Sequence, residues 1–228
     1  MNRQGNTYTF VYSIVLVVIV AALLSIIALS LQPAQNENIK NEKRQNILRS
    51  VNISSTASEA ETLFDKYITE QFIVNSKGER IEGNAFNVDI AKEFKKACDQ
   101  RQLPVFVAQT ENGTKYILPL YGAGLWGSIW GYLSLNDDKN TVYGTVFDHQ
   151  SETPGLGAEI TSPHFQNQFQ GKLIFDDDQL VSILVKKGGN ATGSHEVDAI
   201  SGGTITSRGV EAMIKSYLTC YESFLKQK

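Results

Sequence analysis

Residues 10–31 form an uncharged and almost wholly apolar run, which limits what the chain can fold into more than any other feature of its sequence. As an α-helix rising about 1.5 Å per residue, the run would be about 33 Å long, enough for one bilayer crossing. A signal peptide normally has a shorter apolar region followed by a small-residue cleavage site, and Leu29-Ser30-Leu31-Gln32 matches such a site poorly. We therefore predict a retained transmembrane helix at residues 10–31, preceded by a short tail at residues 1–9.

The charges on either side of this run bear on its orientation. Arg3 and the α-amino group precede the run, whereas Lys40, Lys43, Arg44 and Arg49 follow it. In membrane proteins the excess of lysine and arginine lies on the cytoplasmic side. Taken alone, the charge count therefore slightly favours a cytoplasmic location for the rest of the chain.

The residues after the anchor, about 190 in number, are enough for one well-formed core and a small satellite. Runs rich in β-branched and aromatic residues predict strands, and residues 111–113 and 137–140 predict hairpin turns. Apolar residues at helical spacing predict a last helix from residue 208 to residue 225. The predicted strands are residues 103–109, 114–120, 128–136 and 141–148, with two shorter ones at 172–175 and 180–187.

The segment between the anchor and these strands carries helix and turn signals. Residues 36–51 and 91–99 read as helices, residues 56–59 have the form of a capping box, and residues 75–78 predict a turn between two short strands. We therefore predict an α+β fold, an antiparallel sheet flanked by helices and preceded by one transmembrane helix. We divide its soluble part into a membrane-proximal helical or mixed segment at residues 32–100 and a C-terminal domain at residues 101–228.

A hydroxyl-rich turn divided by two glycines leads into the last helix at residues 198–207, which read DAISGGTITS. Glycine lets a backbone approach a ligand closely, and the free N–H groups of a helix N-terminus favour a phosphate. An ordinary Ser or Thr N-cap after a glycine turn would explain the same residues. A second stretch, residues 151–157, reads SETPGLG and lies about fifty residues upstream.

Together, and in this order, the two stretches resemble the FMN-binding domain family. In that family a Ser-Gly-Ala-Thr motif carries FMN joined to threonine through its phosphate, and here Gly203 stands at the alanine position. Because both residues are small, we expect the site to survive this departure. The resemblance implies that FMN is attached covalently, through its phosphate, to Thr204. It also implies cofactor-binding roles for other residues of both stretches: Ser201, Gly202, Gly203, Thr206, Glu152, Thr153, Leu156 and Gly157.

Nearly the whole chain, including residues 118–132, which read LPLYGAGLWGSIWGY, is similar to the C subunits of sodium-translocating NADH:quinone reductases (Nqr). This resemblance implies a single-pass subunit of the bacterial inner membrane with its soluble domain on the periplasmic side, against the charge count. It implies one-electron transfer through FMN within a complex that oxidises NADH, reduces quinone and pumps sodium. Its partners would be the other Nqr subunits and the lipid bilayer.

The resemblance also implies a maturation partner. A threonine hydroxyl is a poor nucleophile unless a base or a metal assists it. We therefore expect a separate flavin transferase to take FMN from FAD, with a divalent metal, and we expect no catalytic residue in this chain. Asp198 and Ser201 would be recognised by that enzyme or would shape the turn. Lys186 and Lys187 would balance the phosphate charge or simply lie at an exposed strand end.

Several absences narrow the function further. The chain has no Rossmann glycine pattern, so we expect another subunit to oxidise NADH. The predicted anchor has no internal charge and therefore offers no ion path. No basic stripe interleaves with aromatic residues, so we expect no nucleic-acid partner. We read Asp176-Asp177-Asp178 as a solvated turn and expect no metal site.

The remaining chemistry-bearing side chains favour structural roles. Cys98 and Cys220 match no metal-ligand spacing and are too few for an iron–sulfur cluster, and we predict two free thiols rather than a pair. Structural or surface roles are predicted for the histidines: His149, His164 and His195. Core packing is predicted for the aromatic residues of the sheet region, with flavin or partner contact as the alternative for the tryptophans: Trp126, Trp130 and Tyr132.

Three other functions stay open at this point. The first is the corresponding FMN subunit of the Rnf complex, which passes electrons between ferredoxin and NAD. The second is an anchored scaffold or interaction protein with a vestigial FMN domain, which the hydroxyl of Thr204 disfavours. The third is an adhesin-like module, because residues 52–54 and 190–192 have the form of glycosylation sequons.

Overall fold

The computed structural model of the chain describes residues 5–227. By its contacts the chain divides into two compact units, Met1–Lys43 and Arg44–Lys228. The helices are α1 (Asn6–Ser50), α2 (Ala60–Tyr67), α3 (Ile90–Phe94), α4 (Pro163–Gln166) and α5 (Thr204–Leu225). The strands are β1 (Ile68–Val74), β2 (Arg80–Ile81), β3 (Leu103–Thr110), β4 (Gly113–Ala123), β5 (Ser128–Leu135), β6 (Val142–His149), β7 (Phe175–Asp176), β8 (Gln179–Leu180), β9 (Leu184–Lys186) and β10 (Glu196–Asp198).

Helix α1 unites two predicted helices, at residues 10–31 and 36–51, in one continuous helix that runs through Pro33. Within the described residues it is the one helix long and apolar enough to cross a membrane, judged by length and composition alone. Of the predicted tail at residues 1–9, residues 1–4 lie outside the described part, and Arg3 with them. Helix α1 itself begins at Asn6.

The C-terminal end of α1 is buried in the second unit and is capped by backbone geometry. The N–H of Ile53 donates to the carbonyl of Leu48 at 3.0 Å, and Asn52 takes a left-handed φ of 61°. This is the Schellman arrangement that ends many helices. The hydroxyl of Ser134, on β5, donates to the Ser50 carbonyl at 2.5 Å. The sheet thus satisfies one of the terminal carbonyls that a helix cannot bond internally.

Strands β1 to β6 form one antiparallel sheet in the order β2-β1-β3-β4-β5-β6. The four long predicted strands are confirmed as β3 to β6, and the turn predicted at residues 75–78 joins β1 to β2. Strand β1 pairs with β3, so that Phe72 lies opposite Val105. The domain boundary predicted between residues 100 and 101 therefore lies within a unit held together by one hydrogen-bonded sheet.

The central strands of the sheet are buried on both faces, which explains why β3 is apolar at nearly every position. Val105 and Val107 belong to the core beneath α5, whereas Phe106 and Ala108 belong to the core on the opposite face. Side chains of a strand alternate between faces, so both cores draw on the same strand. The end of α1 and helix α2 cover the second face, through residues such as Leu48. The predicted α+β fold is confirmed.

Local structure departs from prediction where the backbone turns sharply. The strands predicted at 172–175 and 180–187 shrink to β7, β8 and β9. Asp177 and Ser182 take left-handed φ values of 50° and 64°, which extended strands do not accommodate. The helix predicted at 91–99 is the short α3 followed by a 3₁₀ turn at Cys98–Gln100.

The two cysteines form a disulfide, so the prediction of two free thiols is wrong. Cys98 follows α3 and Cys220 lies on α5, with their Cα atoms 5.5 Å apart and 122 residues between them in sequence. The Arg101 guanidinium lies beside this bridge and donates to the Cys220 sulfur at 3.7 Å and to the Phe94 carbonyl at 3.0 Å. The bridge thereby joins the membrane-proximal predicted segment to the last helix.

We predict that replacing both cysteines by serine lowers the free energy of unfolding by about 2–5 kcal/mol, because a bridge across a long loop restricts the unfolded chain. Urea titration of the purified chain, followed by tryptophan fluorescence, measures the change. Dithiothreitol should shift the parent curve by a similar amount and leave the Cys98→Ser, Cys220→Ser variant where it is. A parent curve that dithiothreitol does not move would contradict the prediction.

Candidate functional site

Helix α5 begins at Thr204, four residues before the predicted start of the last helix. Gly203 occupies the N-cap position, so the Ser or Thr N-cap considered as the alternative explanation is wrong. The Ser207 hydroxyl instead donates to the Gly203 carbonyl at 2.9 Å and accepts from the N–H of Ile200 at 3.0 Å. These bonds fasten the glycine turn to the helix. They leave the N–H groups of the first helical turn for other acceptors.

Thr204 lies between two clefts and is itself half-buried. The first, called here the Trp126 cleft, measures about 490 Å³ and lies between the β4–β5 turn, residues 152–157 and the first turn of α5. The second, called here the His164 cleft, measures about 850 Å³ and lies between α4, residues 187–189 and residues 198–202. Both volumes fall in the range of small-molecule sites, roughly 300–1,000 Å³.

The Trp126 cleft has an apolar, solvent-exposed rim. Trp126 is 67% exposed and Ile205 is 60% exposed, and Leu125 and Leu156 are exposed as well. The prediction of core packing is therefore wrong for Trp126, which lies in the turn beyond the ends of β4 and β5. Leu125 and Ile205 were not predicted as site residues. Large apolar side chains exposed together, unlike single ones, indicate a surface that receives a ligand or a partner.

Of the other two aromatic residues predicted to pack in the core, Tyr132 does so, whereas Trp130 belongs to neither core cluster. Tyr132 is 8% exposed, which confirms its core placement, and Trp130 is half-buried on β5. Tyr121, opposite Trp130 across the sheet, donates its hydroxyl to Ser128 at 2.6 Å. Only the tryptophan of the turn therefore reaches the cleft.

Glu152 is a buried carboxylate that joins three segments of the site. One carboxylate oxygen accepts from the Thr206 hydroxyl at 2.5 Å, and the other accepts from the N–H of Trp126 at 2.8 Å. Its own N–H donates to Nδ1 of His149 at 3.2 Å, so the ring proton of a neutral His149 lies on Nε2. Burial by itself raises the pKa of Glu152, but the Thr206 hydroxyl and the N–H groups of the β4–β5 turn outweigh burial and hold that pKa below its usual value.

The alanine that the FMN-binding family carries at position 203 would be crowded in this chain. A Cβ on Gly203 would lie 2.9 Å from Cγ2 of Ile200 and 2.9 Å from the Leu156 carbonyl oxygen. Atoms at such distances overlap, so either the turn or the 152–157 loop would have to shift. Glycine at this position thus matches the close contact between the two predicted motifs.

The two stretches singled out in the sequence come together in space. Apart from Ser201, which lines the His164 cleft, every predicted cofactor-binding residue lines the Trp126 cleft: Thr204, Gly202, Gly203, Thr206, Glu152, Thr153, Leu156 and Gly157. Thr204, Ser201 and Gly202 are reachable from solvent, whereas Thr206 is buried. The arrangement places the half-buried Thr204, at a helix N-terminus, on the lining of an apolar cleft.

The loop before the glycine turn is held by two carboxylates. Asp198 accepts from the N–H of Ala191 at 2.8 Å, which gives it a role in shaping this loop. Glu196 pairs with Lys186 and accepts from the N–H of Gly193 at 2.7 Å. The Lys186 ammonium and the N–H groups of Gly193 and Thr192 lower the pKa of Glu196 to about 2. Lys186 is thereby engaged with a carboxylate.

The neighbouring charged and imidazole groups are distributed around this loop. Lys187 lines the His164 cleft with His164, and His195 bonds through Nδ1 to the Leu173 carbonyl at 2.7 Å. The aspartate triplet at residues 176–178 is exposed, as predicted for a solvated turn. Within residues 5–227, no three histidine, cysteine, aspartate or glutamate side chains gather as a metal site would require.

Comparison with known proteins gives the site its context. The model of the FMN-binding domain family matches residues 124–219, a span that contains both motifs. The C subunit of the Na(+)-translocating NADH-quinone reductase of Haemophilus ducreyi is 30% identical over 231 residues, 94% of this chain and 90% of that protein. The protein of the same name from Vibrio vulnificus is 33% identical over 207 residues, 83% of this chain and 81% of that protein.

Solved structures agree. The crystal structure of the corresponding C subunit from Parabacteroides distasonis superposes with a TM-score of 0.82 at 49% identity and covers 87% of this chain and 98% of that one. The NqrC structure from Shewanella oneidensis gives a TM-score of 0.71 at 27% identity, over 82% of this chain and 96% of that one. The resemblance found in the sequence is confirmed: this chain belongs to the family of Na(+)-translocating NADH-quinone reductase C subunits.

Proposed function

We propose that this chain is the membrane-anchored subunit of a sodium-pumping NADH:quinone reductase that carries FMN on Thr204 and passes electrons one at a time. The observation that carries the proposal is the position of Thr204. It is the first residue of α5 and lies at the edge of a cleft formed by both predicted motifs. Family membership supports the Nqr assignment over the Rnf alternative.

The residues at the cleft suit an attached FMN. The first turn of α5 offers backbone N–H groups and the positive end of the helix dipole to a phosphate on Thr204. Gly202 has a left-handed φ of 73°, and a Cβ there would lie 2.6 Å from Cδ2 of Leu156. The glycine turn therefore lies directly against Leu156 in a backbone conformation that a larger residue would not fit. Leu125, Trp126 and Leu156 supply apolar surface for a planar ring system, with Thr153 as a polar neighbour.

Attachment needs help from outside the chain. Within the described residues, no histidine or carboxylate bonds to the Thr204 hydroxyl, and a threonine hydroxyl without a base is a poor nucleophile. A flavin transferase would take FMN from FAD by forming the bond from Thr204 Oγ1 to the FMN phosphorus and breaking the bond from that phosphorus to the adenylate. The adenylate leaves as AMP, and the hydroxyl proton passes to a base of that enzyme. The exposed neighbours Ser201 and Gly202 give such an enzyme access.

The role of the chain's own residues is to carry the cofactor on Thr204 and to orient it against the cleft. FMN, once bound, supplies the redox chemistry, since it can exchange single electrons. The apolar rim lies beside the cleft at the protein surface, which keeps a short path open to a redox partner. We take the other Nqr subunits to be that partner and the source of NADH oxidation and sodium transport.

The disulfide supports a periplasmic location for the soluble domain. Disulfides form in oxidising compartments such as the periplasm and are rare in the cytoplasm. The bridge between Cys98 and Cys220 therefore opposes the charge count of the flanks, which favours the cytoplasm. We propose that α1 anchors the chain in the inner membrane and that the residues after it face the periplasm.

We predict that Thr204→Ala abolishes covalent flavin while the chain still folds and reaches the membrane, because the hydroxyl that accepts the phosphate is gone. The full chain is co-expressed with a flavin transferase, denatured, separated on a gel and examined for flavin fluorescence. Thr219→Ala is the matched control, since Thr219 is an exposed threonine of the same helix. The control should fluoresce like the parent, and mass spectrometry of the parent should find FMN on the Thr204 peptide. A fluorescent Thr204→Ala band would refute the assignment.

A second prediction concerns the anchor and its orientation. A tag at the C-terminus of the full chain should be removed by protease added to spheroplasts, and the chain should stay in membranes washed with alkali. A matched form without residues 10–31 should be released by the same wash. Survival of the tag until the membranes are broken would place the domain in the cytoplasm and contradict the prediction.

A further inference from the structure

We propose that Glu152 is a positioning residue for the flavin, whose carboxylate ties the β4–β5 turn to the first turn of α5 and so sets the width of the Trp126 cleft. Glu152 is only 4% exposed, whereas the side chains that form the cleft rim are largely in solvent. The inference rests on the proposed function, because the cleft it shapes is the one that would hold FMN.

The Glu152 carboxylate lines the Trp126 cleft and bonds to residues on two of its sides. Thr206 stands two residues after Thr204 and donates to one oxygen at 2.5 Å, while the N–H of Trp126 donates to the other at 2.8 Å. Glu152 therefore binds both sides of the cleft. It binds Trp126 directly on one side, and on the other it binds Thr206, in the same helical turn as Thr204. A buried charge needs such partners, since an unpaired one is costly to bury. The walls therefore cannot separate without exposing or orphaning the carboxylate.

Two glycines show that the surroundings are shaped to this carboxylate. A Cβ on Gly124 would meet one oxygen of Glu152, and a Cβ on Gly157 would meet the other oxygen and the Thr206 hydroxyl. Neither glycine has a left-handed φ, so neither is required by the backbone conformation. Each instead lets its backbone come close to the Glu152 carboxylate. The turn and the loop both come as near to Glu152 as a glycine permits.

A further contact stabilises the turn from the same loop. The hydroxyl of Ser151 donates to the Trp126 carbonyl at 3.0 Å, so Trp126 is bonded through both its N–H and its carbonyl to adjacent residues of one loop. Trp126 therefore has a fixed backbone although its side chain is 67% exposed. A fixed backbone beneath an exposed indole is what a surface for one orientation of a planar ring requires.

The test compares Thr206→Val with Thr206→Ser in the full chain co-expressed with a flavin transferase. Valine has nearly the shape of threonine but cannot donate to Glu152, whereas serine keeps the hydroxyl. Three quantities are measured for each: flavin fluorescence of the denatured band, visible circular dichroism of the bound flavin, and flavin fluorescence anisotropy. All are recorded well below the melting temperature of each variant, which far-ultraviolet circular dichroism supplies.

We expect Thr206→Val to keep its covalent flavin, because Thr204 is intact, but to lose visible circular dichroism and anisotropy as the ring becomes mobile. Thr206→Ser should restore both signals. Glu152→Gln should retain them, because its amide can donate to the Thr206 hydroxyl while its oxygen accepts from Trp126. That variant separates the tie from the negative charge.

Three results would overturn the inference. The first is a Thr206→Val protein whose flavin signals equal those of the parent. The second is loss of the signals in Glu152→Gln but not in Thr206→Val, which would assign the effect to charge. The third is a Thr206→Val protein that loses its covalent flavin together with its melting transition, which would make Thr206 a residue of the fold alone. A dark parent band is a failure of the proposed function, and it is distinguishable because no variant is needed to see it.

Discussion

The site depends on how closely helix α5 lies on the six-stranded sheet. Four side chains of α5 are fully buried between the helix and the sheet: Val210, Ile214, Tyr217 and Leu218. In addition, the Tyr221 hydroxyl donates to the Pro104 carbonyl of β3 at 2.6 Å. Such burial contributes on the order of 1.5–3 kcal/mol for each large apolar side chain. The helix is therefore fixed along its length, and the position of its first turn is fixed as a result.

The approach is closest near the candidate site. A Cβ on Gly209 would lie 2.5 Å from the Ala123 carbonyl oxygen at the end of β4. Glycine at this point lets the helix backbone come down onto the strand that leads into the β4–β5 turn. Because the helix start and the turn are brought together there, one side chain, Glu152, can reach both. The close packing of α5 on β4 therefore makes the geometry of the Trp126 cleft possible.

Much of this fold can be predicted from the sequence, because its signals are local. Strands β3 to β6 are bounded by turn residues, and the apolar spacing of α5 is that of a helix with one buried face. The predicted start of α5 falls four residues too late because the Ser, Thr and Gly residues around it have weak helix propensity. The disulfide between Cys98 and Cys220 has no local signal at all, since 122 residues separate the two thiols.

The candidate site is predictable to the extent that its residues lie in two short motifs. The two motifs do not include the β4–β5 turn, which forms the remaining side of the Trp126 cleft. Trp126 lies between two runs that form strands, and a tryptophan in such a position is more often buried in the core than exposed at the edge of a cleft. Its exposure follows from the turn geometry, which depends on Glu152, a residue 26 positions away. Long-range contacts of this kind are absent from any local pattern.

An exposed cleft is a reasonable design for a cofactor that is attached. A free ligand must be held by the cleft itself, which normally encloses most of its surface. A ligand tethered at Thr204 instead meets the cleft at an effective concentration on the order of millimolar or above, so weak contacts are enough to keep it seated. The attachment would supply retention, and the cleft would supply only orientation. A rim such as that of Trp126 and Ile205 can then stay open, with the edge of the ring near the surface where an electron has to leave.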